Sequence, residues 1–157
     1  GCISLQEVVV PDAVVLIEDN AFYNCESLKK VRFPENLSQI WAYAFCRCRA
    51  LARIKLPDSL EYIGTGAFLG CQKITEVILP ENVKYIGQSS FANCDALQKV
   101  SVPKSVETIG HGAFSGCEAL EEIHYGGTCA EWSARMAQAV YNGAGPKIIC
   151  TDGTIYP

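Results

Sequence analysis

The residues able to do chemistry in this chain are nine cysteines, two histidines and thirteen lysines and arginines. Six of the cysteines, Cys2, Cys25, Cys48, Cys71, Cys94 and Cys117, stand 23 residues apart. A metal site draws its ligands in closely spaced pairs, whereas a fixed interval of this length puts one thiol into each copy of a repeated unit. The column therefore predicts buried free thiols behaving as small apolar side chains. Neighbouring members come within disulfide reach on Cα distance, but side chains running parallel point the wrong way for the bond. Cys46 makes a Cys-x-Cys pair with Cys48, without a second pair at zinc spacing, so no metal ligands are assigned. Cys129 and Cys150 lie outside the column and are the one pair considered for a disulfide.

Nucleophilic catalysis needs a nucleophile, a base and an orienting group within hydrogen-bond reach. His111 and His124 are the available imidazoles. Stacking at a 23-residue period sets His124 beside Ser101 and puts Glu122 on the same face, a superficial Ser, His and Glu set. An open strand face neither excludes water nor supplies oxyanion donors, and repetition explains the adjacency without chemistry. No catalytic residues, no cofactor and no enzymatic activity are expected.

Charge is more informative. The net charge of −4 argues against general attraction to nucleic acid or acidic membranes. Seven of the thirteen basic residues nevertheless fall between positions 28 and 55, where Glu35 is the only acid. Two columns on the solvent side of the repeat run Glu7, Lys30, Arg53, Glu76, Lys99, Glu122 and Val9, Arg32, Lys55, Ile78, Ser101, His124. Lys30, Arg32, Arg53 and Lys55 thus form a basic patch, the candidate ligand-binding residues, suited to an acidic peptide or sulfated glycan. Glu7 and Glu76 flank it and are expected to neutralise part of it. Nucleic acid is not an expected partner, because no aromatic residues interleave these columns to stack on bases.

Those side chains are positioned by the repeat. Phe22, Phe45, Phe68, Phe91 and Phe114 keep the same interval, as do Pro11, Pro34, Pro57, Pro80 and Pro103, and Ile17, Ile40, Ile63, Ile86 and Ile109. Further apolar columns run through Leu28, Val31 and Phe33 and their equivalents. Alternation over Leu28–Pro34 predicts one strand of about five residues per unit, ended by a proline that has no N–H to donate. A second extended stretch, such as Leu60 to Gly64, follows each proline, and Ala67 to Cys71 reads as a compact turn. Gly64, Gly87 and Gly110 suit the bend between them, where Glu18 stands in the first unit. One unit cannot bury its own apolar residues, so the units must stack into a solenoid. About five coils at the strand spacing make a block roughly 25 Å long.

Leu28-x-x-Val31-x-Phe33-x-x-Asn36 and the fuller unit from Leu79-Pro80 through Val100, with Ser90 in place of alanine, resemble the BspA-like leucine-rich repeat. The resemblance covers residues 2 to 125 and extends to the Tyr125-Gly126-Gly127-Thr128, Glu131-Trp132 and Cys150-Thr151-Asp152-Gly153 segments. It implies a leucine-rich-repeat solenoid over 1–125. It also implies a non-catalytic binding or adhesion module at a bacterial cell surface or outside the cell, with a host or matrix protein or an anionic glycan as partner. A structural spacer without a specific ligand is the alternative, and a hydrolase a distant third. A monomer is expected.

Residues 126–157 should cap the stack within the same domain. Thr128 and Glu131 read as a capping box opening a helix from 129 to about 140, with Trp132, Met136 and Val140 as its apolar stripe and Asn142-Gly143 and Gly145-Pro146 at its end. A strand from Lys147 to Cys150, a turn at Asp152-Gly153 and a short strand from Thr154 to Tyr156 follow. The first residues, Gly1-Cys2-Ile3-Ser4-Leu5, lack the pattern of a signal peptide. With a start inside a repeat and no cap there, the expectation is a piece of a longer array. No stretch is apolar over a membrane-spanning length, so no membrane insertion is expected.

Overall fold

The computed structural model describes residues 1–139 and 145–157. Each coil follows the alternation of its sequence. The first coil contributes β1 (Glu7–Val9) and β2 (Leu16–Ile17), the second β3 (Lys30–Arg32) and β4 (Gln39–Ile40), and the third only β5 (Tyr62–Ile63). The fourth contributes β6 (Glu76–Ile78) and β7 (Tyr85–Ile86), the fifth β8 (Lys99–Val102) and β9 (Thr108–Ile109), and a sixth β10 (Glu122–Tyr125). The solenoid thus has about six turns, against the five expected. Strands on the first face are three or four residues long, shorter than anticipated. The turn before each strand takes its first donor, as in Leu28 N→Cys25 O at 3.0 Å, and the proline closes the other end.

Two parallel ladders result. The second extended stretches build a sheet of their own, ordered β2-β4-β5-β7-β9, with Ile17, Ile40, Ile63, Ile86 and Ile109 in register. A third set of bonds runs along the turns, where Phe22, Phe45, Phe68 and Phe91 each donate an N–H to the coil above, at 2.7–2.8 Å. Their rings, continued by Phe114, stack at centroid distances from 5.0 to 5.7 Å and within 14° of parallel. Each such contact adds roughly 0.5–1.5 kcal/mol beyond the burial itself. Leu28, Leu51, Ile74 and Leu97 are fully buried in the same interior, beside the column Leu37, Leu60, Val83 and Val106.

The C-terminal segment ends the stack by imitating another coil. α1 (Cys129–Arg135) starts at Thr128, whose side chain accepts from Glu131 N while the Glu131 carboxylate accepts from Thr128 N, as the capping box requires. Trp132 and Met136 face inward, and the Trp132 ring meets Tyr125 edge-on at 5.5 Å. The helix is shorter than the expected 129–140. Met136 closes its last bond onto the Trp132 carbonyl at 2.8 Å, and the chain then tightens into a 3-10 turn over Ala137–Ala139. Carbonyls of Gln138 and Ala139 are needed as acceptors for Gly112 and Phe114 N–H, both at 2.9 Å, which a continuing helix would consume internally. Val140 and Asn142-Gly143 lie outside the described residues. Beyond them, β11 (Lys147–Cys150) adds to β10 in parallel, and β12 (Gly153–Ile155) turns back antiparallel on β11.

Candidate functional site

The first strand face is not continuous. β1 pairs with β3, and β6, β8, β10, β11 and β12 form a separate sheet, while the third coil supplies no strand between them. Elsewhere the ladder is regular: Val10 N–H donates to Arg32 O and Leu79 N–H to Ser101 O, both at 3.0 Å. Among the described residues, 52–56 make no equivalent ladder bond.

Cross-strand charge explains the gap. Where the ladder is intact, the outer column alternates in sign, with Glu7 opposite Lys30, Glu76 opposite Lys99, Lys99 opposite Glu122 and Glu122 opposite Lys147. A regular third strand would set Arg53 against Lys30 and Lys55 against Arg32, two like-charge pairs, with a single opposite-charge pair, Arg53 and Glu76, on its other side. Like charges directly opposite destabilise a strand pair, and here two such pairs stand against one favourable pair, so charge disfavours a third strand.

The break leaves a cleft of about 720 Å³ whose lining includes Lys30, Arg53 and Lys55, the carboxylates Asp58 and Glu76, and the apolar Ile54 and Ile78. Ile78 is 62 % exposed, and Ile54 is only partly buried where its column mates Val77 and Val100 are sealed. A second hollow of about 390 Å³ adjoins it, with Lys30, Arg32, Lys55, Glu7 and Glu35 in its lining. Of the four basic residues singled out in the sequence, Lys30, Arg53 and Lys55 therefore stand around the cleft and Arg32 in the adjoining hollow, instead of on a flat ladder.

Their charges are not equally available. Lys30 Nζ sits 2.9 Å from Glu7 Oε1, and Arg32 Nη2 lies 3.7 Å from Asp12 Oδ1, both pairs well exposed. Among the described residues, Arg53 and Lys55 form no ion pair. Of the two glutamates expected to neutralise the patch, Glu7 pairs with Lys30, while Glu76 lines the cleft and, among the described residues, forms no ion pair.

Ser101 and His124 are register partners on β8 and β10, as the period predicts. The His124 ring nitrogen bonds Glu122 Oε2 at 2.9 Å instead of the serine, and that bond holds the Glu122 carboxyl below its usual range. The imidazole is thus committed to a surface carboxylate on its own strand.

The cysteine column packs as expected over most of its length. Cys25, Cys48, Cys71 and Cys94 are buried, Cys117 is half-buried, and Cys2 is exposed. Burial pushes the Cys48 thiol up to about 12 and Cys71 well above its ordinary value, so neither is a reactive nucleophile. Cys129 and Cys150 are free and adjacent in the cap. Trp41 and Tyr43, exposed on the opposite side of the solenoid, had no place in the sequence-based site; Trp41 Nε1 donates to Gln39 Oε1 at 2.7 Å beside a hollow shared with Asp19 and Tyr62.

Among the described residues, no helix is long and apolar enough to cross a membrane.

The BspA type leucine rich repeat region matches residues 1–128 in six copies. Among solved structures, a leucine-rich repeat protein of Bacteroides ovatus is 40 % identical, with a TM-score of 0.75, over 79 % of this chain and 32 % of that one. A leucine-rich repeat protein of T. pallidum is 38 % identical, with a TM-score of 0.76, over 78 % of this chain and 57 % of its own. A protein of Faecalibacterium prausnitzii described as a leucine rich cell surface protein is 31 % identical, with a TM-score of 0.78, over 88 % and 36 %. This chain therefore spans about a third of the first and third proteins and just over half of the second. No curated protein matches it.

Proposed function

The chain belongs to the BspA-type leucine-rich repeat family, and on that footing we propose that it is a non-catalytic binding module displayed at a bacterial cell surface. Its contact surface is the cleft at the third coil, and its partner an acidic segment of a host or matrix protein or an anionic glycan. The observation that carries this reading is the interrupted ladder. The break converts a flat strand face into a concave one and keeps two unpaired cations, Arg53 and Lys55, beside exposed apolar surface. Display at a surface is supported by the F. prausnitzii relative, described as a cell surface protein.

Calorimetric titration with heparin and with an acidic peptide, at low and at physiological salt, tests the proposal. Binding that weakens with salt and is lost on replacing Lys30, Arg32, Arg53 and Lys55 by alanine is expected. Binding that the quadruple variant leaves unchanged would eliminate the basic cleft as the contact surface, and no binding at all would leave the structural-spacer alternative.

A further inference from the structure

Repetition accounts for six of the nine cysteines, and Cys46 is buried beside them. The other two come together in the cap from opposite ends of the C-terminal segment. Cys129 is the first residue of α1, and Cys150 is the last of β11. Asp152 follows in the turn to β12, and its Oδ1 accepts from the Cys129 backbone N–H at 2.8 Å. One donor atom from each of Cys129, Cys150 and Asp152 lies within 4.8 Å of the other two.

We propose that Cys129, Cys150 and Asp152 are three protein ligands of a zinc ion that pins α1 to the β11–β12 hairpin. Three donors no more than 4.8 Å apart can be met from a central point within about 2.8 Å of each, and contraction of roughly 0.5 Å for the thiolates and roughly 0.7 Å for the carboxylate reaches zinc bond lengths. Two thiolates and a carboxylate neutralise the ion and leave one negative charge over. The sulfurs are half-buried and Asp152 is exposed, so the fourth tetrahedral position opens to water. The hydrogen bond from Cys129 N to Asp152 orients the carboxylate before metal arrives, the task of an outer-shell contact. Gly153, the cross-strand partner of Cys150, leaves that side of the Cys129 sulfur uncovered, where a Cβ would come into van der Waals contact with it at 3.8 Å. Binding is not a redox step: Zn²⁺ replaces two thiol protons, which are released to solvent. The ligands are 21 and two residues apart in sequence, so no zinc-type spacing announces them.

The test uses the full chain in a non-thiol reductant, titrated with Co²⁺ and then Zn²⁺. One cobalt per chain is expected, with thiolate-to-cobalt charge-transfer absorption that zinc abolishes, and zinc should slow alkylation of Cys129 and Cys150. Cys129→Ser and Cys150→Ser should each remove the absorption while keeping the far-ultraviolet circular dichroism of the solenoid. Asp152→Asn should weaken binding at least tenfold, and Cys46→Ser should leave it unchanged. The proposal is overturned if the wild-type chain gives no such absorption, or if both serine variants retain it. It is equally overturned if protein isolated without reductant carries a Cys129–Cys150 disulfide in a peptide mass map.

Discussion

The Cys71 thiol donates to the Phe45 carbonyl at 3.2 Å, reaching back into the coil before its own. Cys48, Cys94 and Cys117 do the same to Phe22, Phe68 and Phe91 at 3.3, 3.4 and 3.1 Å. The column is thus a set of ties between coils as well as a filler of volume. Cys71→Ala removes a buried sulfur and one of the two donors to that carbonyl, which keeps the Cys48 N–H at 3.2 Å, and should lower the unfolding free energy by about 1 kcal/mol in urea denaturation.

The same burial makes stability depend on alkaline pH. The folded Cys48 thiol titrates near 12 instead of at the ordinary 9.0, so between those values the folded chain holds a proton that the unfolded chain has released. Its contribution is full below pH 9.0 and is lost as pH rises toward 12. Thermal unfolding followed from pH 8 upward should show a falling midpoint, with a shallower fall in Cys48→Ala.

Ser90 replaces the alanine found at 44, 67 and 113, is fully buried, and its hydroxyl has no hydrogen-bond partner. Ser90→Ala should therefore stabilise the protein by about 1 kcal/mol, a gain readable as a higher denaturant midpoint at unchanged slope.

Each turn bends through left-handed backbone at two places, and the second coil meets that need with Tyr43 and Arg47, at φ of 56° and 60°, where the third has Gly66 and Gly70. Relief of this strain should make Arg47→Gly stabilising by about 0.5 kcal/mol after the entropy of glycine is subtracted. Gly87→Ala runs the other way. A Cβ there would lie 2.4 Å from the backbone carbon of Gly64, and the coils would have to part, costing roughly 2–3 kcal/mol in the same assay.

Within the cleft, Arg53→Ala or Lys55→Ala should weaken heparin binding more than Lys30→Ala, because Lys30 is already engaged by Glu7 at 2.9 Å. Parallel titrations of the three single variants, with Kd as the readout, make the comparison. Equal losses would mean that the ion pair opens on binding.

Much of this was legible in the sequence because an inward column declares itself by repetition. Phe45, Ile63, Leu97 and Cys71 are buried where the period put them, and Thr128 and Glu131 cap α1 as their spacing implies. Ala52 to Leu56 carried no such warning. Its apolar alternation is as good as that of Leu28 to Phe33, and only stacking brings Arg53 to Lys30 and Lys55 to Arg32, 23 residues away. The end of α1 was hidden for a similar reason. The pattern of Trp132 and Met136 continues a helix, but the acceptors wanted by Gly112 and Phe114 lie on another coil.

By itself, the sequence determined the period, the identity of the interior, the stacking of units and the family. Those follow from which side chains leave water, and hydrophobic periodicity reports that locally. Tertiary structure alone decided where the ladder breaks, which cations are left unpaired, and that Cys129, Cys150 and Asp152 converge. Those depend on pairing between groups distant along the chain, whose charge and hydrogen-bond energies exist only once the coils are in register.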